Sequence, residues 1–465
     1  LRFTNDETYM TGRDLPNIKA IPGPESLKLS KRLKCVESPN VTFIGGAFPI
    51  FWNSALGANV IDEDGNIFID FGSAFGVQNV GHSHPRVVGA LERQSKKLMH
   101  GMGDVHPTEV KVLLAEKLRD ITPGDLSQTI FSSSGSEAVE SAIKTACMHT
   151  KKSGVIAFEG AYHGLTYGAL AATHRYDFKE SFLDQIGRFV THIPFPDPFH
   201  RPSKSKSGYD EVLEAIEMRI KDSRREAIGA VLLEPVQGRG GVIVPPKGFF
   251  PALRQVCDAH GMLLIFDEIM TGFGRTGRWF ASEHEGVVPD LLILGKGMTG
   301  GFPISACVGS EKVMASWGIS RGEAIHTSTF LGSPLGAACA LETINILEDE
   351  KLIERSDHLG KSLLEKLKSL AKKYPLMGDV RGQGLLIGVE LVENGKPASE
   401  KTARLVDLLL RQGIIMLPSG PHHNVLSLTP PLVISDEQTD HVVMVLDRLF
   451  DFLEKEHIPH LEISK

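Results

Sequence analysis

The chain has 465 residues, enough to bury a large core and to divide into more than one domain. Its hydrophobic content of 42% and charged content of 23% are those of a soluble globular protein, and a net charge of −7 excludes a basic footprint for nucleic acid or an acidic membrane. The cysteines (Cys35, Cys147, Cys257, Cys307, Cys339) lack metal-ligand spacing and read as buried free thiols. No apolar run reaches the roughly 20 residues a bilayer requires, and the first residues carry no signal-peptide core, so a cytoplasmic protein with no membrane partner is expected.

Residues 1–45 are polar and broken by Pro16, Pro22 and Pro24, with a basic helix predicted over Ser26–Lys34; they read as an arm ordered by packing on something else. Trp52–Phe71 carries a hairpin signal around the Glu63-Asp-Gly-Asn66 turn. Asn79-Val-Gly-His-Ser-His-Pro85 then leads into an amphipathic helix reaching about Met99. His82 and His84 have no further Cys or His cluster beside them, so they read as part of a turn and no metal is expected.

From about Glu109 the pattern alternates. Helix Val110–Arg119, strand Gln128–Ser132, helix Glu137–His149 and strand Gly154–Glu159 come first. A helix near Ser181, a Pro- and Ser-rich excursion over 193–207 and helix Asp210–Asp222 follow. Strand Ile228–Leu233, helix Gly248–His260 and strands Met262–Phe266 and Leu291–Leu294 complete the set. This order implies an α/β domain, expected over residues 76–335, with a mostly parallel central sheet flanked by helices. An Ala-rich helix over Ser333–Glu350 leads out of it. Helices Ile353–Lys373, Glu400–Gln412 and 436–456, with strands Gly384–Leu391, Ile414–Leu417 and Val425–Leu428, form a small α+β domain over 336–465. The N-terminal arm and hairpin (1–75) are expected to join it.

Two of the strands each end near one charge, Leu263-Leu-Ile-Phe-Asp267 and Leu291-Leu-Ile-Leu-Gly-Lys296. Ligands in open α/β sheets sit beyond the carboxyl ends of parallel strands. A carboxylate and an amine delivered there suit a lysine that forms a Schiff base and an acid that holds a pyridine nitrogen. Taken singly, each residue reads as a solvated loop charge. Phe131-Ser-Ser-Ser-Gly-Ser-Glu-Ala-Val139 joins strand to helix through small residues, which reads as a phosphate cradle at Gly135 and Ser136 or as an ordinary N-cap. It is neither a P-loop nor a dinucleotide fingerprint. Ala161-Tyr-His-Gly164 places an aromatic ring after the next strand, and Leu233-Glu-Pro-Val-Gln-Gly-Arg-Gly-Gly241 brings Glu234, Gln237 and Arg239 to the same edge.

Together these motifs resemble the class-III aminotransferases, pyridoxal-phosphate (PLP) enzymes of the aspartate-aminotransferase fold, fold type I. The resemblance runs from near residue 55 to about 445. It rests on Ser134-Gly-Ser-Glu-Ala138, Tyr162-His-Gly164, Glu234-Pro235, Asp267-Glu268, Gly272-Phe-Gly-Arg-Thr-Gly277, Gly295-Lys-Gly297, Thr329-Phe330 and Thr429-Pro-Pro-Leu432. It implies transfer of an amino group from an amine donor to an oxo-acid acceptor in two half-reactions. Lys296 would hold the cofactor through a Schiff base and shuttle a proton between Cα and C4′, while Asp267 would keep the pyridine nitrogen protonated. Tyr162 and Ile269 would cover the two ring faces, Gly135 and Ser136 would bind the phosphate, and Glu234 would lie near the ring. His163 belongs to the motif without an assigned step. Thr329 would reach the phosphate of a second subunit, which implies a homodimer.

Three positions depart from relatives that use glutamate and 2-oxoglutarate: Met270 stands where many have Gln, Arg239 where Glu is frequent, and Ser427 where Arg is frequent. Arg239 is then expected either to grip a substrate carboxylate or to pair with a nearby acid beside a pocket for carboxylate-free amines. Phe51, Trp52 and Phe75 are expected to line an apolar pocket. The same machinery serves racemisation, epimerisation or internal amine transfer, because each begins with proton loss at the same carbon. A non-catalytic α/β binding protein is opposed by Lys296, Asp267 and the phosphate loop occurring together.

Overall fold

The structure is a computed structural model and describes residues 10–43, 45, 48–203, 205–222 and 226–455. Residues 1–9 and 44 of the expected arm, residue 204 of the excursion and residue 456 of the last expected helix lie outside the described residues. A seven-stranded sheet forms the centre. Its strands are β1 (Leu126–Ser132), β2 (Gly154–Phe158), β3 (Val190–Ile193), β4 (Ile228–Leu233), β5 (Leu263–Asp267), β6 (Leu291–Leu294) and β7 (Ser305–Ser310). They run in the order β1-β7-β6-β5-β4-β2-β3, and only the two pairings made by β7 are antiparallel.

The apolar runs of β5 and β6 follow from burial on both faces. Leu263, Ile265, Leu291 and Ile293 pack on one side of the sheet and Leu264, Phe266, Leu292 and Leu294 on the other. A period-2 backbone covered on both sides has no polar face to alternate with. On the first side lies α1 (Gly135–Thr150), whose Ala138, Val139, Ala142, Ile143 and Ala146 form one helical stripe against the strands. On the other side the cluster includes Phe249, Phe250 and Leu253 of helix Phe249–His260 and extends to Ala337, Ala340 and Ile344 of helix Pro334–Asp349.

A second, antiparallel sheet joins Met377–Gln383, Leu386–Glu393, Val425–Leu428 and Leu417–Ser419. The N-terminal hairpin, Asn59–Asp62 with Ile67–Asp70, is flanked by Trp52–Leu56 and by Ile414–Ile415, which lies parallel to Ile69–Asp70. The hairpin and a segment more than 340 positions later therefore share a sheet. Among the described residues no helix is long and apolar enough to cross a membrane.

Several expectations are corrected. The single strand expected over Ile414–Leu417 is divided: its first two residues join the hairpin and Leu417 begins a strand of the other sheet. The sequence carries no strand signal at β3, β7 or Met377–Gln383, and the hairpin signalled over Trp52–Phe71 has a further strand, Trp52–Leu56. The helix near Ser181 is two single turns, Tyr176–Lys179 and Glu180–Phe182. The helix expected from Glu137 begins at Gly135, so the small residues of the loop form its first turn. All five cysteines are free, but Cys35 and Cys147 are exposed because they sit on the outer faces of their helices; only Cys257, Cys307 and Cys339 are buried.

Candidate active site

Asp267 ends β5, and its carboxylate is held by two donors. The Ile269 N–H donates to Oδ1 at 3.1 Å, and His163 Nδ1 lies 2.7 Å from Oδ2. A carboxylate oxygen accepts, so the Nδ1 proton resides on the histidine. His163 is itself buried, with its backbone N–H donating to Thr173 Oγ1 at 2.9 Å and its Nε2 lacking a partner.

Lys296 follows β6 by two residues and adopts a left-handed φ of 42°. Backbone strain of this kind in a non-glycine residue costs on the order of 1–2 kcal/mol and concentrates at functional sites. The side chain is half-buried, and the polar atom its Nζ meets is Met270 Sδ at 3.5 Å. No carboxylate among the described residues comes within ion-pair distance of it. Loss of hydration pushes the amine below the ordinary lysine range, with Asp267 and Glu234 opposing the shift and Arg239 and Arg275 adding to it. A neutral, nucleophilic amine is thereby more accessible than in a solvated lysine.

Glu234 leaves β4 and ties two loops together. Its Oε1 accepts from the Tyr162 N–H at 2.9 Å and its Oε2 from the Gly238 N–H at 3.0 Å. Burial pushes its carboxyl above the usual range. At the start of α1, Ser134 Oγ accepts from the Glu137 N–H, and the Glu137 carboxylate accepts from the Ser133 N–H at 2.8 Å, a reciprocal cap. The N–H groups of Gly135 and Ser136 have no protein acceptor among the described residues, so two donors remain at the positive end of the helix dipole.

Ser136 Oγ is shared with Thr166, whose N–H donates to it at 3.0 Å and whose hydroxyl lies 2.8 Å away. That hydroxyl also meets Glu140 Oε1 at 2.8 Å, and Glu140 further accepts from the Gly168 N–H. Thr166 and Glu140, which no sequence signal singled out, lock the Tyr162 loop onto α1. Ile269 sits directly over Gly135: a Cβ there would lie 2.7 Å from Ile269 Cδ1.

The remaining expected residues lie on separate segments. Ser73 to Gly76 make one left-handed turn, with φ of 49°, 46°, 65° and 75°, in which Asp70 accepts from the Gly72 and Ala74 N–H groups. Phe75 projects from that turn, 65% exposed, while a Cβ on Gly76 would touch Met270. His82 pairs with Asp70 at 2.8 Å beside the edge of Trp52, and His84 Nδ1 accepts from the Arg86 N–H, so the two histidines serve different partners. Thr329 is exposed, with its neighbours Thr327 and Phe330 resting on Asp104 and His100. The Arg239 guanidinium is exposed and has no acid partner among the described residues. Its central carbon lies 4.9 Å from the Tyr162 ring centroid and 5.8 Å from that of Phe178.

Glu268 and Arg275 stand in the quoted motifs without an assigned role, and both are buried charges. Glu268 accepts from the Thr271 hydroxyl and from the Ala281 and Ser282 N–H groups, and burial pushes its carboxyl up to about 7. Arg275 is fully buried and donates to Pro430 O at 2.6 Å, Leu385 O at 3.0 Å and Asn79 Oδ1 at 2.6 Å, with burial lowering its guanidinium to about 9. It pins the Thr429-Pro-Pro segment against the site.

Comparison with known proteins identifies the family. The family described as aminotransferase class-III matches residues 45–450. A 4-aminobutyrate aminotransferase of Escherichia coli is 38% identical over 416 residues, covering 88% of this chain and 95% of that protein. An alanine/serine racemase of Pyrococcus horikoshii is 35% identical over 438 residues, covering 92% and 90%. The crystal structure of an amine transaminase from an uncultivated Pseudomonas species in its PLP-bound form matches with a TM-score of 0.84 and 29% identity, covering 90% of this chain and 99% of that one. The chain belongs to the class-III aminotransferases, PLP-dependent enzymes of amino-group transfer.

Proposed function

We propose that this chain transfers the amino group of a carboxylate-bearing amine to an oxo acid, with Lys296 and Asp267 as its catalytic residues. The observation that carries this reading is the Lys296 amine, which contacts Met270 Sδ at 3.5 Å, meets no carboxylate within ion-pair distance among the described residues, and follows the strand paired with that of Asp267. Bound PLP supplies an electron sink for the pair released when the substrate carbon loses its proton. Lys296 Nζ takes that proton and returns it. Asp267, oriented by His163 and the Ile269 N–H, would hold the ring nitrogen of bound PLP through its carboxylate. Gly135 and Ser136 fit the phosphate through their free N–H groups, and Tyr162 and Ile269 fit the two ring faces. Arg239 grips the substrate carboxylate, since Ser427 offers no competing charge and no acid among the described residues neutralises the guanidinium. Trp52 and Phe75 form the outer wall.

The same reading assigns residues 76–335 to the PLP-binding domain and joins 1–75 to 336–465 as the small domain, supported by the sheet that the hairpin shares with Ile414–Ile415. Thr329, exposed beside Phe330, is the residue expected to reach a second subunit's phosphate in a homodimer. Free thiols support a reducing, cytoplasmic setting.

The deciding experiment adds single amines to holoenzyme without any oxo acid. A donor that bleaches the cofactor's visible band establishes the half-reaction. Racemisation, the activity named for the Pyrococcus relative, would instead leave the band in place while solvent deuterium enters Cα.

Two substitutions test the parts. Gly135→Ala forces Ile269 aside, and overpacking on the order of 1–3 kcal/mol should weaken PLP binding about tenfold or more, read by cofactor titration. Arg239→Ala should raise KM for carboxylate donors about 10- to 100-fold, the span of a lost charged hydrogen bond, and leave kcat for simple amines unchanged. Equal effects on both classes would remove Arg239 from carboxylate recognition.

A further inference from the structure

We propose that Phe178 is a specificity-positioning residue, an aromatic shelf that orients Arg239, which has no acid partner among the described residues, for the carboxylate of an amino-acid substrate. The proposal rests on the carboxylate-gripping role of Arg239. Phe178 lies in the turn Tyr176–Lys179, and its ring is 5.8 Å from that of Tyr162 at an interplanar angle of 63°. Two guanidinium groups meet this pair. Arg239 lies over Tyr162 at 4.9 Å and Phe178 at 5.8 Å, and Arg175 lies 4.9 Å from Phe178.

The two arginines differ in one respect. Arg175 is neutralised by Asp177 through two contacts, Nε to Oδ1 at 3.1 Å and NH2 to Oδ2 at 2.5 Å. Arg239 has no acid partner among the described residues. An ion-paired Arg175 does not repel its neighbour, so the two cations can share one aromatic surface. His423, 3.4 Å from Arg175, adds little charge, because burial and then Arg175 hold its imidazole below the usual range.

The chemistry of this arrangement favours an incoming anion. An arginine held by an acid must give up that partner before it can bind a carboxylate. A guanidinium held by aromatic faces is oriented by the ring quadrupoles while its N–H donors stay free. The backbone below is fixed as well, since the Arg239 carbonyl accepts from the Gly420 N–H at 3.0 Å. Preorganisation of this kind lowers the ordering cost of binding. The substrate class is therefore an amino acid, in preference to the amine that lacks its carboxylate.

The test uses holoenzyme and butyrate, an unreactive carboxylate, titrated by its perturbation of the cofactor's visible band. The Kd for butyrate should rise about fivefold in Phe178→Ala, within the range of a lost cation–π contact, and return close to the unmodified value in Phe178→Tyr. In Arg239→Ala it should rise tenfold or more. Butylamine, which has no carboxylate, should be affected less than butyrate in both Phe178 variants. If Arg239→Ala weakens butyrate and Phe178→Ala does not, the shelf is wrong and the role of Arg239 stands. If Arg239→Ala leaves butyrate unaffected, or unmodified holoenzyme does not bind butyrate, the carboxylate reading itself falls. If Phe178→Ala impairs butylamine as much as butyrate, Phe178 is a pocket wall and nothing more.

Discussion

Lys296→Ala should lower turnover by about 10⁴-fold or more, because on the proposed reading one substitution removes both the covalent anchor and the proton carrier. The fold survives. The backbone keeps a left-handed φ that alanine tolerates as poorly as lysine does, and the side chain that is lost made no ion pair among the described residues. Deleting a desolvated, unpaired amine is neutral or mildly stabilising. The sign can be checked in apo protein. The amine titrates below its unfolded value near 10.4, so between its folded and unfolded pKa the unfolded chain binds more protons, and unmodified stability rises with pH. Any advantage of the alanine variant is therefore greatest at low pH and disappears as pH rises through the unfolded lysine pKa. Thermal melts of both proteins across this window measure it. Partial recovery of turnover by added methylamine would assign the loss to the missing amine, and substantial turnover without rescue would remove Lys296 from the chemistry.

The centre of this site was legible in the sequence because β5 and β6 are buried on both faces. Continuous apolar runs ending in Asp267 and followed by Lys296 announce parallel central strands and the edge where a ligand binds. Other strands carry no such signal. β7 reads Ser-Ala-Cys-Val-Gly-Ser, all buried, yet it is too rich in small residues to resemble a strand. Met377–Gln383 contains two glycines and two charges, and its strand state comes from pairing with Leu386–Glu393. Long-range contacts were illegible in principle. His163 meets Asp267 across 104 positions, and Arg275 reaches Pro430 across 155. Nothing local in Tyr-His-Gly names the acid its histidine will hold. Phe178 also gave no warning, because its role exists only where two guanidinium groups converge.

Asp267→Asn separates charge from shape and should lower turnover about 10²- to 10³-fold without unfolding the protein, a loss comparable to that of one preorganised electrostatic contact. The substitution looks hostile at first. Both neighbours of the carboxylate, the Ile269 N–H and His163 Nδ1, act as donors, and an amide must turn its NH2 toward one of them. His163 provides the way out. Its Nε2 is buried without a partner, so the ring can shift its proton from Nδ1 to Nε2 and accept from the amide instead. The asparagine variant should therefore melt within a few degrees of the unmodified protein. His163→Ala removes the orienting group but keeps the charge, so its loss of turnover should be smaller, about tenfold. Because the two residues act as one unit, the double variant should lose little more than Asp267→Asn alone. Additive losses would show that His163 acts independently of Asp267, and an asparagine variant with normal turnover would show that the charge at this strand end does not serve the reaction.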